Sequence, residues 1–459
     1  MENHAYTPRS PRSSGLYQLV EEYYEVLERS WDERYASKLG YWGSHFTKVL
    51  WSYLDCGDLR RGFARIRCKD CGHERLLPFS CKRRHFCPSC HERRVLEFAE
   101  FLVSEVTSEV PHRHWVFSVP KLLRPWFLYD KSLLGEMCTI VWKLLSKFIL
   151  ASTDGAGATN TKAASVMSIQ TAGEHLDFNP HIHALCADGV FSDNGTFTEA
   201  QVFDTKALED AFANAIFALL QEKGLHETRI EMMQSWHHSG FSVYRGSQIP
   251  VGERASLERL GQYLVRCPFA LRRMVYDKNS GEVSYSGKAT GTTKRYSPLD
   301  FLARLVVHIP APHFQTIRYY GHYSNKCRGM RKRADSPEDK AICVLPPKKL
   351  ASISFARLIA RVFLDDPLIC PKCKGQMRIV SFIEEDDLIA KILKHLGLWE
   401  PPGRPVANSP PTLELLESFG KQMDCSQNWE GDFSQLLPEG YADEAYSQLL
   451  PDEFAYEAC

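Results

Sequence analysis

The chain has 459 residues, of which 44% are hydrophobic and 24% charged, and its formal net charge is +0. That length carries two or three domains around a large core, and the composition is that of an ordinary globular protein. Zero net charge excludes a uniformly basic nucleic-acid binder, yet the charge is segregated. Arginine and lysine crowd residues 60–94 and 318–333, while acidic residues gather beyond Asp424. The fifteen cysteines fall partly in Cys-x-x-Cys pairs, which points to metal binding in a reducing compartment rather than to disulfides. Met1–Gly15 lacks the apolar core of a secretory signal, and the most apolar run, Met137–Leu150, is interrupted by Lys143 and Lys147. The expected location is the cytoplasm, with no membrane partner.

In chain order, residues 1–15 read as disordered, and Tyr17–Leu54 as helices. Leu59–Arg94 is a basic, cysteine-rich module, followed by a helix over Arg94–Val110 that Pro111 stops. His114–Pro120 reads as a strand, Pro125–Leu150 as helix and Ala151–Ala163 as loop. Strands are expected at Ser165–Gly173 and His181–Phe191, joined by a short connection and so paired as an antiparallel hairpin. A helix over Ala207–Leu219, a strand at Phe241–Gly246 and a helix over Val251–Arg266 follow. A hairpin within Val283–Tyr296 and a helix over Asp300–His308 come next. Pro346–Leu364 is mixed, Cys370–Cys373 is a metal-type knuckle without an obvious partner pair, and Asp386–Leu398 is helical. From Pro401 the composition turns to proline, serine and acid, as in disordered chain.

Cys68-x-x-Cys71 and Cys87-x-x-Cys90 have the spacing of a four-cysteine zinc ribbon, in which one structural Zn²⁺ replaces a core too small to build. Cys81, His85 and His91 are nearby spares. The arginines around this module make DNA-backbone contact its natural use, although a solvated basic face would look similar.

Asn179-Pro180-His181-Ile182-His183 carries the chemistry. Two histidines two residues apart on a strand share one face, and the following residues are apolar except for Asp188. Such a pair either holds a divalent metal or is satisfied by hydrogen bonds. Gln170 and Glu174 have the parity to share that face. Gln170, inside the strand, is the favoured third ligand, Glu174 the second and His175 a distant third.

The runs Phe79–Cys90, His114–Pro120, Asn179–His183 and Arg318-Tyr319-Tyr320-Gly321 resemble the rolling-circle insertion-sequence transposases. The likeness is closest to the ISCR-like group of single-strand HUH transposases and covers roughly residues 16–400. The resemblance implies a zinc-binding N-terminal domain, an HUH nuclease domain and a tyrosine that attacks DNA. Tyr263-Leu264-Val265-Arg266 matches the family's tyrosine motif, and the position four residues on is Cys267, so the chain looks like the single-tyrosine variety. Tyr263 is therefore the expected nucleophile, with Tyr319, Tyr320 and Tyr323 as rivals. Arg259 and Arg266, at i−4 and i+3, would flank its phenol on a helix and grip phosphate.

The expected fold class is α+β, an HUH-type antiparallel sheet with helices preceded by a helical and zinc-ribbon module. The expected domains are a disordered start (1–15), a zinc-binding DNA-recognition domain (16–110), a catalytic domain (111–345), a module with the Cys370/Cys373 knuckle (346–400) and an acidic tail (401–459). The expected activity is that of a metal-dependent DNA strand transferase. It cleaves and rejoins single-stranded DNA through a 5′-phosphotyrosine, with Mg²⁺ or Mn²⁺ at His181, His183 and Gln170. The competing readings are a non-catalytic zinc-dependent DNA-binding protein and a barrel hydrolase, which would need repeated βα units.

Overall fold

The computed structural model describes residues 13–83, 85–153, 161–288, 291–334 and 369–399. The mixed stretch Pro346–Leu364, the tail from Pro401 and all but the last three residues of the expected disordered start lie outside the described residues.

Helix α1 (Gly15–Arg34) opens on Ser14, whose hydroxyl accepts from the Tyr17 amide at 3.2 Å, and buries Leu16, Val20, Leu27 and Trp31. A short α2 (Ala36–Leu39) stops at Gly40 (φ +81°), and α3 (Ser44–Leu54) follows. Strands β1 (Phe63–Cys68) and β2 (Glu74–Pro78) pair across the Cys68–Cys71 turn. Helix α4 (Pro88–Phe101) starts earlier than expected, inside the Cys87–Cys90 knuckle, because proline suits a first helical turn. It runs on as a π-helical turn to Val106, ahead of β3 (His112–Ser118).

The expected helix over Pro125–Leu150 divides into α5 (Arg124–Tyr129) and α6 (Ser132–Ala151). Asp130 restarts the helix by accepting from the Ser132 amide at 3.0 Å. Strands β4 (Lys162–Ala172) and β5 (Phe178–Phe191) form the expected hairpin, followed by β6 (Phe197–Glu199), α7 (Thr205–Glu222) and α8 (Glu227–Gln234). Asn179-Pro180, which fell in the connection between the two expected strands, lies inside β5 instead, where the register shifts between Gln170 and Ala172. Next come β7 (Ser242–Ile249) and α9 (Arg254–Leu264), then β8 (Met274–Asp277), β9 (Glu282–Ser286), β10 (Thr293–Tyr296) and α10 (Pro298–Val306). Strand β11 (Ile317–Gly321), helix α11 (Asn325–Ala334) and strand β12 (Met377–Ile383) are absent from the elements read above, and α12 (Asp386–His395) completes the described chain.

The fold is α+β, and all named strands among the described residues pair antiparallel, which removes the barrel hydrolase. Two compact units interleave in sequence, whereas the domains read above run consecutively. One unit is drawn, among the described residues, from 94–269 and 310–334. Its sheet has the order β11-β4-β5-β3-β7, with β6 beside β5. One face buries Trp115, Phe117, Met167, Ile182 and Ala184 under α6 and α7; the other buries Val166, Leu185 and Ala187 with Leu102, Leu257 and Leu264. Asp188, the interruption in β5, is buried and paired with Arg113, whose Nη2 donates at 2.6 Å. A charge on the inner strand is thus satisfied by its neighbour.

The other unit is drawn, among the described residues, from 13–93, 270–309 and 369–399. It holds two three-stranded sheets, β12-β1-β2 and β10-β9-β8. Within it Tyr35 donates to Asp300 at 2.9 Å and Tyr276 to Glu22 at 2.7 Å, tying α1 to α10 and β8.

Candidate active site and metal centres

The parity argument places His181 and His183 on one face of the sheet, and the register confirms it. His181 stands opposite Gln170 and Ser118, and His183 opposite Ser168 and Val116, so all six side chains share that face. Both histidines are buried. Nδ1 of His181 donates to the Asn179 carbonyl at 2.7 Å, which fixes the orientation of the ring. Nδ1 of His183 lies 3.0 Å from Nε2 of His114, and its own Nε2 is buried without a hydrogen bond.

His114, two residues inside β3, is a site residue that the strand pair alone did not reveal. Its ring stacks on that of His183 at 5.2 Å. Burial, then the nearby Arg266 and His181, pushes its imidazole down to about 3. Burial, followed by His181, His114 and Arg266, holds His183 well below its ordinary value too. Both rings are therefore neutral, the form a metal ligand requires. An orphaned ring nitrogen among neutral imidazoles fits a divalent cation, and His114 sits where an outer partner orients a ligating histidine.

Helix α9 brings Tyr263 to this face. Its ring lies 5.1 Å from His183 and 6.0 Å from His114, edge-on to both. The approach depends on Gly261, where a Cβ would come within 2.9 Å of Leu102 and 3.2 Å of the Ala99 backbone. The end of the helix is tied to the sheet. Ser168 Oγ donates to the Leu264 carbonyl, and Gln170 Nε2 donates to the carbonyls of Tyr263 at 3.2 Å and Leu264 at 3.0 Å. Gln170 Oε1 in turn accepts from Arg266 Nε at 3.2 Å. With amide and oxygen so engaged, Gln170 is placed as a strut for the helix end. Glu174 and His175 lie past β4 in the turn that Gly173 N closes on Asp177 O at 2.8 Å.

The two arginines separate. Arg266 lies beyond the helix end with its Cζ 4.4 Å from the Tyr263 ring centroid. Arg259 is exposed and donates to Ser256 Oγ at 2.9 Å. Among the rival tyrosines, Tyr323 is buried with its hydroxyl 2.7 Å from His112 Nε2, and Tyr320 stacks on Trp142 on the opposite face. Tyr319 shares the histidine face but sits on β11, packed near Arg328.

The cysteines expected to share one ion do not come together. Cys87 and Cys90 join Cys56 and Cys81, whereas Cys68 and Cys71 join Cys370 and Cys373. In the first group Cys56 Sγ is 3.7 Å from both Cys87 and Cys90, and Cys81 is 3.6 Å from Cys90. Four sulfurs at about 2.3 Å from a tetrahedral zinc stand roughly 3.8 Å apart, so this group fits the ion without rearrangement. Cys81, a nearby spare in the sequence, is thus a member. Cys56 has no Cys-x-x-Cys partner to signal it. His91 is buried and its Nδ1 accepts from the His85 amide at 3.0 Å.

Comparison with known proteins bears on both regions. Residues 26–119 match a family described as "Transposase zinc-binding domain", and residues 165–331 match one described as "Putative transposase". The chain is 24% identical over 354 residues to the "Transposase for insertion sequence element IS801" of Pseudomonas savastanoi pv. phaseolicola, covering 71% of this chain and 80% of that protein. It is 24% identical over 285 residues to the "Putative transposase y4qJ" of Sinorhizobium fredii, covering 57% of this chain and 70% of the relative. No solved structure matches it. No described helix is long and apolar enough to cross a membrane. With a transposase zinc-binding domain ahead of a putative-transposase domain, and likeness to an IS801 transposase beside them, the resemblance read from the motifs is borne out.

Proposed function

We propose that this transposase cleaves and rejoins single-stranded DNA through a covalent 5′-phosphotyrosine at Tyr263, as in rolling-circle transposition. The observation that carries the reading is the phenol of Tyr263 set against His183 and His114 on the sheet face that also bears His181. In this reading the phenolic oxygen attacks the scissile phosphorus and the bond to the 3′-oxygen breaks. The departing oxygen takes a proton to leave a 3′-hydroxyl. His181 and His183 would hold Mg²⁺ or Mn²⁺, which supplies Lewis-acid polarisation of phosphate oxygens. His114 keeps His183 in the tautomer with Nε2 free. Arg266 offers a guanidinium to the charge that develops on phosphate, and Gln170 and Ser168 fix the helix end that aims the phenol. Residues 16–110 serve DNA recognition and 111–345 the chemistry in this scheme, in the cytoplasm where DNA is reached.

The test is incubation with end-labelled single-stranded oligonucleotides and Mg²⁺. A protease-sensitive protein–DNA adduct, mapped by mass spectrometry to Tyr263, is expected. An adduct on Tyr319 moves the nucleophile to β11. DNA binding without any adduct or cleavage leaves the zinc-dependent binding protein as the function.

A further inference from the structure

We propose that Cys68, Cys71, Cys370 and Cys373 form a second structural zinc site, which fastens residues 369–399 to the β1–β2 hairpin. The inference is independent of the cleavage reading. Sγ of Cys68 lies 3.4 Å from Cys373 and Sγ of Cys71 lies 3.5 Å from Cys370, across partners 305 and 299 residues apart in the chain. These separations exceed the roughly 2.05 Å of a disulfide and approach the edge of a zinc–thiolate tetrahedron.

The backbone is built for the ion on both sides. Each Cys-x-x-Cys forms a knuckle whose next residue is left-handed, Gly72 at φ +70° and Lys374 at φ +61°. Cys68 N donates to His73 O at 2.8 Å, and Cys370 N donates to Gly375 O at 2.8 Å, so the two turns close alike. The knuckles also meet each other: Lys69 N donates to Gln376 O at 3.2 Å. At Gly375 a side chain would collide with the Asp70 carboxylate and lie 3.2 Å from Cys373 Sγ.

Apolar burial alone gives this segment little hold. The core beneath it comprises Phe63, Ile383, Ile389 and Leu393, with a smaller patch of Ile66 and Met377 against Cys68 and Cys370. Strand β12 leaves Ile379 51%, Val380 48% and Phe382 64% exposed, so its outer side contributes almost nothing. A metal bridge closing so long a loop removes more entropy from the unfolded chain than one closing a short loop, since the cost of closure rises, though slowly, with loop length. Zn²⁺ is the cation that four thiolates at tetrahedral spacing select.

Zinc content of the purified full-length protein, by mass spectrometry and by mercurial release into a chromogenic chelator, tests the site. The expected result is two equivalents, falling to one in Cys370→Ser/Cys373→Ser and staying at two in Cys327→Ser. Hydrogen exchange in the double variant should speed up over residues 63–68 and 377–383 and leave residues 178–191 protected. If that variant does not fold, graded zinc removal from the wild type replaces it. Cys68, Cys71, Cys370 and Cys373 should then become alkylatable together as one equivalent leaves. One equivalent in the wild type overturns the proposal. Alkylation of Cys370 and Cys373 as fast as Cys327, or a Cys68–Cys373 disulfide, does so equally.

Discussion

Replacing His114 with phenylalanine tests its proposed role as the partner of a metal-holding His183. The ring volume and its stacking at 5.2 Å on His183 are approximately kept, but the acceptor 3.0 Å from His183 Nδ1 is lost. His183 as a whole is only 2% exposed, so solvent does not readily replace the bond. An unsatisfied buried N–H costs about 1–3 kcal/mol, and loss of an outer partner of a metal-bound histidine typically weakens metal affinity about 10–100-fold, or ~1.4–2.8 kcal/mol. The Mn²⁺ concentration giving half-maximal cleavage should rise by that factor, while the rate at saturating Mn²⁺ stays within severalfold of wild type. Titration of single-turnover cleavage against Mn²⁺ reads both quantities. An unchanged Mn²⁺ midpoint, or a lost rate that no Mn²⁺ concentration restores, refutes the orienting role.

Tyr263→Phe should keep fold and DNA binding and abolish the adduct on denaturing gels, since only the attacking oxygen is removed. Arg266→Ala should slow single-turnover cleavage roughly ten- to a thousandfold, with partial recovery in Arg266→Lys, whereas Arg259→Ala, altering an exposed side chain bonded to Ser256, should cleave like wild type. Ser168→Ala removes a buried bond to the Leu264 carbonyl and should lower unfolding stability by about 1 kcal/mol in urea titrations. Burial pushes the His112 imidazole down to about 4, so the unfolded chain binds a proton that the folded one refuses. Stability is then complete above about pH 6.5 and is lost as pH falls toward 4. Urea midpoints measured between pH 7 and 5 should decline, less steeply in His112→Gln; a flat profile in both would remove His112 from the acid response.

What could be read in advance depended on how local the information is. His181 and His183 needed only the two-residue period of a strand, and the β4–β5 hairpin needed only its short connection. Tyr263 on α9 followed from a helix pattern together with a resemblance. The cysteine partners were not local. Cys68-x-x-Cys71 has an adjacent pair at Cys87 and Cys90, but sheet pairing of β1 with β12 delivers Cys370 and Cys373 instead. Nothing in residues 60–94 encodes that strand. His114 joined the site through register across β3, where Val116 meets His183, and no spacing within one segment expresses such a neighbour. Helix spacing fixes the direction in which Arg259 leaves the backbone, but not the acceptor its long side chain takes, here Ser256.

The interleaving of the two units bears on how the protein is born. During synthesis the ribosome delivers Cys68 long before Cys373, a separation of 305 residues that takes roughly 15–60 s at about 5–20 residues per second. All strands of the β11-β4-β5-β3-β7 sheet emerge inside that interval. The histidine-bearing sheet can therefore close first, while the β1–β2 hairpin waits, two thiols open, for its third strand. A nascent chain stalled before residue 369 would carry a folded sheet and a half-made cysteine knuckle.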